Sequence, residues 1–145
     1  ENLPDERVSA EQVQATRARV RRHIAGVSER FMGLDAAAVA TSGTIVRLAR
    51  IVAPPTAEPA GVDGSIVTRA QLSDMIDRLV RADSHAHRRA IPQMDPDRAD
   101  ILLAGALIYE GLSETLATAQ WRVSTAGLRT GLVAAVLAAR TNVTN

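Results

Sequence analysis

One pattern, used twice, limits the fold more than any other feature of this sequence. Residues 36–40 are a short apolar run that stops at Thr41-Ser42-Gly43-Thr44 and passes at once into an amphipathic segment. Residues 121–124 do the same through Ser124-Thr125-Ala126-Gly127, and the segment that follows, 128–140, is apolar nearly all round. A strand this apolar has to be covered, and strands alternating with helices provide that cover in α/β architecture with a mostly parallel sheet. Only one further scrap of strand, Ile66-Val67, can be read between the two corners. So few strands among so many helices suggest part of a sheet domain whose first strands lie upstream of Glu1.

The first corner supports two readings. Gly43 permits a turn that a Cβ would obstruct, and Thr41, Ser42 and Thr44 can cap the free N–H groups of the next helix. Those same N–H groups, with the helix dipole behind them, attract anions. The phosphate-loop pattern is absent, because no Gly-x-x-x-x-Gly-Lys precedes Thr44 and the chain has no lysine. Capping and phosphate binding both stay open on local grounds.

The remaining elements are helices. Val13, Val20, Ile24, Val27 and Phe31 recur at helical spacing behind a Ser9 cap, which predicts a helix over 9–31. The second helix, over about 44–52, places Ile45 and Leu48 on one side. Thr68 caps a third, with Leu72, Met75, Ile76 and Leu79 as its apolar face. The loop at 53–64 carries three prolines and two glycines, yet coherent pattern resumes directly after it. Ser84 to Arg89 reads as a short exposed helical turn; its His85-x-His87 pair lacks an evident third metal ligand. Asp95 is placed to cap a long helix with Pro96 at its first position, and this helix is expected to be largely buried. Gly105 within it predicts close approach by another backbone.

Composition excludes several functions. At 145 residues the chain is long enough for one domain with a true core. Phe31, Tyr109 and Trp121 are its only aromatics, too few to line a base-stacking groove. Seventeen basic residues, all arginine, face 16 acids, so no general attraction to nucleic acid or membrane is expected. Without cysteine there is no disulfide, thiolate metal site or thiol nucleophile. No apolar run approaches eighteen residues and the first residues are polar and acidic, so a soluble, cytoplasmic protein is expected.

Four stretches in order resemble the exopolyphosphatase / guanosine pentaphosphate phosphohydrolase family. Ala40-Thr41-Ser42-Gly43-Thr44-Ile45 is similar to its "(A/T)SGTI" turn. Gly64-Ser65-Ile66-Val67-Thr68 with Gln71-Leu72 resembles "G-x-I-T-x-x-x-L". Ile91-Pro92, Asp97-Arg98-Ala99-Asp100 and Ala104 to Ile108 resemble "P-x-x-x-x-x-R-A-D-x-x-x-(P/A)-G-x-x-I". Val123 to Leu132 resembles "V-S-D-x-G-L-R-E-G-L", with Thr125 and Thr130 standing where that pattern has acids.

The resemblance implies an α/β, helix-rich, partial ribonuclease-H-like domain of the actin / sugar kinase / heat-shock ATPase fold. On this reading residues 1–145 are most of the second domain of a two-domain phosphatase. The first domain, with its "D-x-G-S-N" loop and catalytic glutamate, is absent. The implied reaction removes terminal phosphate from inorganic polyphosphate or pppGpp with Mg²⁺, and this half alone is expected to be inactive.

No catalytic residue is assigned to this half and no metal ligand either. Thr41, Ser42, Gly43, Thr44, Arg98 and Arg129 are the candidate ligand-binding residues. Each arginine has a structural alternative: Arg98 in an ion pair with Asp95 or a neighbour, and Arg129 on carbonyls joining the last helix to the sheet. The implied partners are the polyanion, the missing first domain and, since relatives commonly dimerise, a second copy. Two other classes stay open: a sugar or acetate kinase type of phosphotransferase on the same fold, and a catalytically degenerate binding protein.

Overall fold

The computed structural model describes residues 8–29, 31, 36–53, 61–82 and 84–141. Expectations that fall on Gly33 and on 54–60 of the proline loop lie outside them. Six helices are described: α1 Ala10–Ser28, α2 Gly43–Val52, α3 Arg69–Arg81, α4 His85–Arg89, α5 Ala99–Thr115 and α6 Leu128–Thr141. Three strands accompany them: β1 Val39–Ala40, β2 Ile66–Thr68 and β3 Gln120–Val123. None of the described helices is long and apolar enough to cross a membrane.

The strands form one sheet in the order β1-β3-β2. β1 runs parallel to β3, with Val39 opposite Arg122 and Ala40 opposite Val123. The sheet is nevertheless mixed, not mostly parallel, because β2 runs antiparallel to β3. The reason lies in the turn that delivers β2. Gly64 has a φ of 74°, a conformation that a side chain would strain. Its N–H donates to the Val123 carbonyl at 2.8 Å, and the Val123 N–H donates to Ser65 at 2.8 Å. The chain therefore joins the sheet at the carboxyl end of β3 and can only run back along it.

Local chemistry places the helix starts where the caps are. Ser9 and Gln12 exchange hydrogen bonds at 2.7 and 3.1 Å ahead of α1. Thr68 and Gln71 do the same for α3, each side chain meeting the other's backbone N–H. These reciprocal pairs satisfy donors that a helix start leaves free. Asp95 caps as expected, accepting from the Asp97 N–H at 3.1 Å, but the turn it caps is a 3-10 turn, Pro96–Arg98, and α5 begins one residue later.

α5 is the hub of the packing, touching α1, α2, α3 and α4. Ile45, Leu48, Leu72, Met75, Ile76, Leu79, Val67 and Val123 are fully buried between these helices and the sheet. Each large side chain so buried contributes about 1.5–3 kcal/mol. The buried stripe of α5 is Leu102, Leu103, Ala106 and Leu107. The helix is largely buried as expected, with Ile101 and Ile108, 54% and 45% exposed, on one uncovered strip. Phe31 is likewise exposed and lies beyond α1, which ends three residues short of it.

α1 rests on α5 by a different means. Val13 is buried, and Val20 seats against Gly111, where an added Cβ would come within 2.6 Å of its Cγ1. Two ion pairs flank that contact, Arg17–Glu110 at 2.7 Å and Arg21–Glu114 at 2.9 Å. The turn at 84–89 is helical as expected but not wholly exposed. Arg88 is buried there and donates to the Ala82 carbonyl at 3.3 Å. The apolar side chains Leu128, Leu132, Val133, Val136 and Leu137 of α6 are all more than half exposed.

Candidate functional site

Because β1 and β3 are parallel neighbours, both strand-to-helix corners emerge at one edge of the sheet. The Ser124 N–H donates to the Ala40 carbonyl at 2.8 Å and ties the corners together. The Asp63-Gly64 turn reaches the same edge through its bond to Val123. In sheets of this kind, ligands bind outside the carboxyl ends of the parallel strands.

At the first corner Ser42 is the N-cap of α2, and its Oγ accepts from the Ile45 N–H at 3.3 Å. The Val46 N–H bonds to the Ser42 carbonyl. That leaves the N–H groups of Gly43 and Thr44 without an acceptor among the described residues. Thr41, Ser42 and Gly43 are exposed and Thr44 is half-buried. Capping and an open pair of donors thus coexist at one helix start. Gly43 is the first residue of α2 and Gly64 is the positive-φ glycine of the described chain, so the corner does not depend on a left-handed Gly43. A Cβ on Gly43 would meet the far end of the Arg47 side chain at 2.9 Å.

Three residues that the sequence reading gave no role in this site shape the corner. Tyr109 of α5 shares a 2.8 Å hydrogen bond with the Ser42 hydroxyl. Its ring stands edge-on to Trp121 of β3, with centroids 5.3 Å apart. Trp121 in turn donates to the buried Ser113 hydroxyl at 2.8 Å, and Ser113 donates to the Tyr109 carbonyl at 2.7 Å. Ser42 is thereby braced against both α5 and β3. Gly105 lies one turn before Tyr109 on the same face, and an added Cβ there would overlap the Thr44 methyl. The close approach expected at Gly105 is real, but it is to a side chain. Gly105 and Tyr109, four apart in an apolar helix, were the available signal.

Arg47 is the third. It donates through Nε to Asp95 at 3.0 Å and through Nη1 to the Gly43 carbonyl at 3.1 Å. The bond from Arg47, followed by that from the Asp97 N–H, holds the Asp95 carboxyl below its ordinary range against the opposing effect of burial. Asp95 therefore takes Arg47 as its hydrogen-bonded cation. Arg98 acts on Asp95 only through its charge; it is exposed and makes no ion pair among the described residues. Arg129 is exposed in the first turn of α6, beside Thr130, Val133, Ala134 and Leu137 of its own helix. No hydrogen bond joins its guanidinium to a carbonyl of the sheet among the described residues.

At the second corner the loop ahead of α6 is satisfied, while the Leu128, Arg129 and Thr130 N–H groups that start the helix have no acceptor among the described residues. One Asp63 oxygen accepts from the Thr125 N–H at 2.6 Å and from the Thr125 hydroxyl at 3.0 Å. These bonds, the backbone one foremost, hold the Asp63 carboxyl below its ordinary range. The Ala126 N–H is satisfied by the Ser124 hydroxyl at 3.2 Å.

The Ppx/GppA phosphatase family model matches residues 1–139, nearly the whole chain. The chain belongs to the Ppx/GppA phosphatase family. Solved structures of Ppx/GppA proteins share the fold. An Aquifex aeolicus family member superposes with a TM-score of 0.80 at 22% identity, covering 95% of this chain and 44% of that one. The type II variant of the Aquifex aeolicus Ppx/GppA phosphatase gives 0.76 at 24%, covering 90% and 43%. An exopolyphosphatase from Cytophaga hutchinsonii gives 0.76 at 17%, covering 92% and 44%. No curated protein matches the sequence. The chain spans less than half the length of these Ppx/GppA structures.

Membership raises the question of a divalent metal. Among the described residues no three His, Asp or Glu side chains gather to hold one. The carboxylate at the shared edge, Asp63, has one oxygen committed to both donors of Thr125. The described residues do not fit a magnesium ion by themselves.

Proposed function

We propose that this chain is most of the second domain of a two-domain phosphoanhydride hydrolase, releasing terminal phosphate from inorganic polyphosphate or pppGpp. Its sheet edge forms one wall of the ligand cleft. The observation that carries this reading is the β1–α2 corner, where the Gly43 and Thr44 N–H groups lie open at the carboxyl edge in a Ppx/GppA protein. Two backbone donors at the positive end of a ten-residue helix suit the phosphate oxygens of a polyanion. Exposed Arg98, left free by the Arg47–Asp95 pair, adds a planar cation for the same chain of phosphates. Arg129 at the start of α6 is a second such cation.

Hydrolysis of a phosphoanhydride also needs a base to position water and cations to offset developing charge. On this reading the base and most of the Mg²⁺ ligands belong to a first domain outside residues 1–145. The protein works in the cytoplasm, as a homodimer, and the isolated chain binds without turning over.

The test uses the full-length protein and its Arg98→Ala variant. Loss of one charge-assisted contact costs about 1.5–3 kcal/mol, so kcat/KM for polyphosphate or pppGpp should fall roughly tenfold to more than a hundredfold. The melting temperature should stay nearly constant. Unaltered kinetics with a lowered melting temperature would place Arg98 in a structural role and remove it from the cleft. Phosphate release by residues 1–145 alone would overturn the two-domain reading.

A further inference from the structure

α6 combines two properties that do not belong together, an apolar make-up and full exposure. Its large apolar side chains Leu128, Leu132, Val133 and Val136 share one side, and Gly131 and Ala134 stand on the other. Its charged residues are Arg129 and Arg140, one near each end. Yet every residue from Leu128 to Ala139 is exposed, and no described element packs along the helix. Leu128 is 80% exposed and Val133 59%. A helix apolar all round belongs in an interior, and a helix of 14 residues standing alone in water is marginal. Cover is therefore needed on more than one side of α6.

We propose that α6 is an interdomain helix, buried against the half of the polypeptide that lies outside residues 1–145. This rests on the two-domain reading given above, and two physical arguments choose that occupant over a second copy. A 14-residue helix is about 21 Å long and about 10 Å across, so one face of it offers roughly 200–400 Å². A stable interface between separate molecules buries about 800 Å² on each partner. A body tethered in the same chain needs far less, because tethering sets a high local concentration. Second, a two-fold pairing of α6 with its copy covers one side of each helix and leaves the other in water. The Ppx/GppA structures that share this fold have more than half of their length beyond the matched part, enough chain to enclose the helix from several sides. Because α6 starts at the sheet edge where both corners emerge, a domain seated along it also stands over that edge.

The test is made on the full-length protein. Hydrogen exchange of the wild type needs no substitution. The amides of residues 131–139 should exchange at least about a thousandfold more slowly than in an unstructured chain, as in a helix that opens only with its domain. That protection should survive dilution. A photoreactive p-benzoylphenylalanine in place of Val133 should, on irradiation, join this position to a peptide outside residues 1–145 of the same molecule.

Exchange at the rate of an open helix overturns the inference. So does protection that is lost on dilution, or a cross-linked species of twice the mass, since either assigns α6 to a second copy. A cross-link confined to residues 1–145 overturns it too, because α6 would then fold back on its own domain. Should the bulky probe at Val133 unfold the protein, exchange on the wild type decides, with the probe moved to Leu128, 80% exposed, as the second readout. These readouts follow packing and not turnover, so a first domain that α6 does not touch overturns the inference and leaves the two-domain reading standing. Phosphate release by residues 1–145 alone strikes the reading itself.

Discussion

Gly105→Ala sets two opposed effects against each other at the contact that places Thr44. Alanine in a helix interior is favoured over glycine by about 0.5–1 kcal/mol, so in open space the variant would be more stable. Here the new Cβ would overlap the Thr44 methyl and lie 3.1 Å from its Oγ1 and 3.3 Å from its Cβ. Forcing one carbon into a packed contact costs about 1–3 kcal/mol. The clash wins, and a net loss of about 1–2 kcal/mol is expected, or roughly 4 °C per kcal/mol in a domain of this size. Thr44→Ala removes the obstructing atoms, so the double variant should recover at least about 1 kcal/mol relative to the sum of the singles. Trp121, the only tryptophan, is buried and bonded to Ser113 of α5, so its fluorescence in urea reports the docking of this helix. Additivity of the two substitutions would refute the claimed contact. Because Thr44 also carries one of the open N–H groups, Gly105→Ala should weaken tripolyphosphate binding as well as stability, and Thr44→Ala should restore it.

Tyr109→Phe keeps the edge contact with Trp121 and deletes the bond to Ser42, at a cost of about 0.5–1.5 kcal/mol. Combined with Ser42→Ala it should add little further loss, whereas full additivity in urea denaturation would show that the two hydroxyls act separately. Asp63 and Asp95 have carboxyls held below their ordinary range, by bonds from Thr125 and from Arg47 respectively. Fewer protons bind in the folded state, so their stabilisation is complete above the unfolded value of about 3.9 and is lost as pH falls through the lower folded values. The urea midpoint should drop on acidification in that window, and replacing both with asparagine should flatten the drop; an equal slope in wild type and variant would sink the assignment.

Much of the fold was legible because it is written in short-range chemistry. Ser9, Ser42, Thr68 and Asp95 each act through an N–H two or three residues away, so their caps need no tertiary information. The apolar faces of α2 and α3 follow from helical spacing alone, and Ile45, Leu48, Leu72, Met75, Ile76 and Leu79 are all buried as that spacing requires. Four motifs in order were enough to suggest the Ppx/GppA family, which the family model bears out.

What sequence could not decide was every matter that depends on how elements meet. Periodicity says that α5 is apolar but not where its cover stops, which leaves Ile101 and Ile108 half exposed on a helix that is otherwise largely buried. The direction of β2 follows from where the Gly64 turn attaches to β3, a contact across 59 positions. The partner of Asp95 is Arg47, 48 residues away, and the brace on Ser42 is Tyr109, 67 residues away. Most of all, the two corners look equivalent in sequence because the difference between them, the Asp63 carboxylate, reaches the second corner only through the folded chain. Helix starts are set by forces that act within one turn; what stands beside each, Tyr109 and Arg47 at α2 and Asp63 at the loop before α6, is set by the tertiary structure.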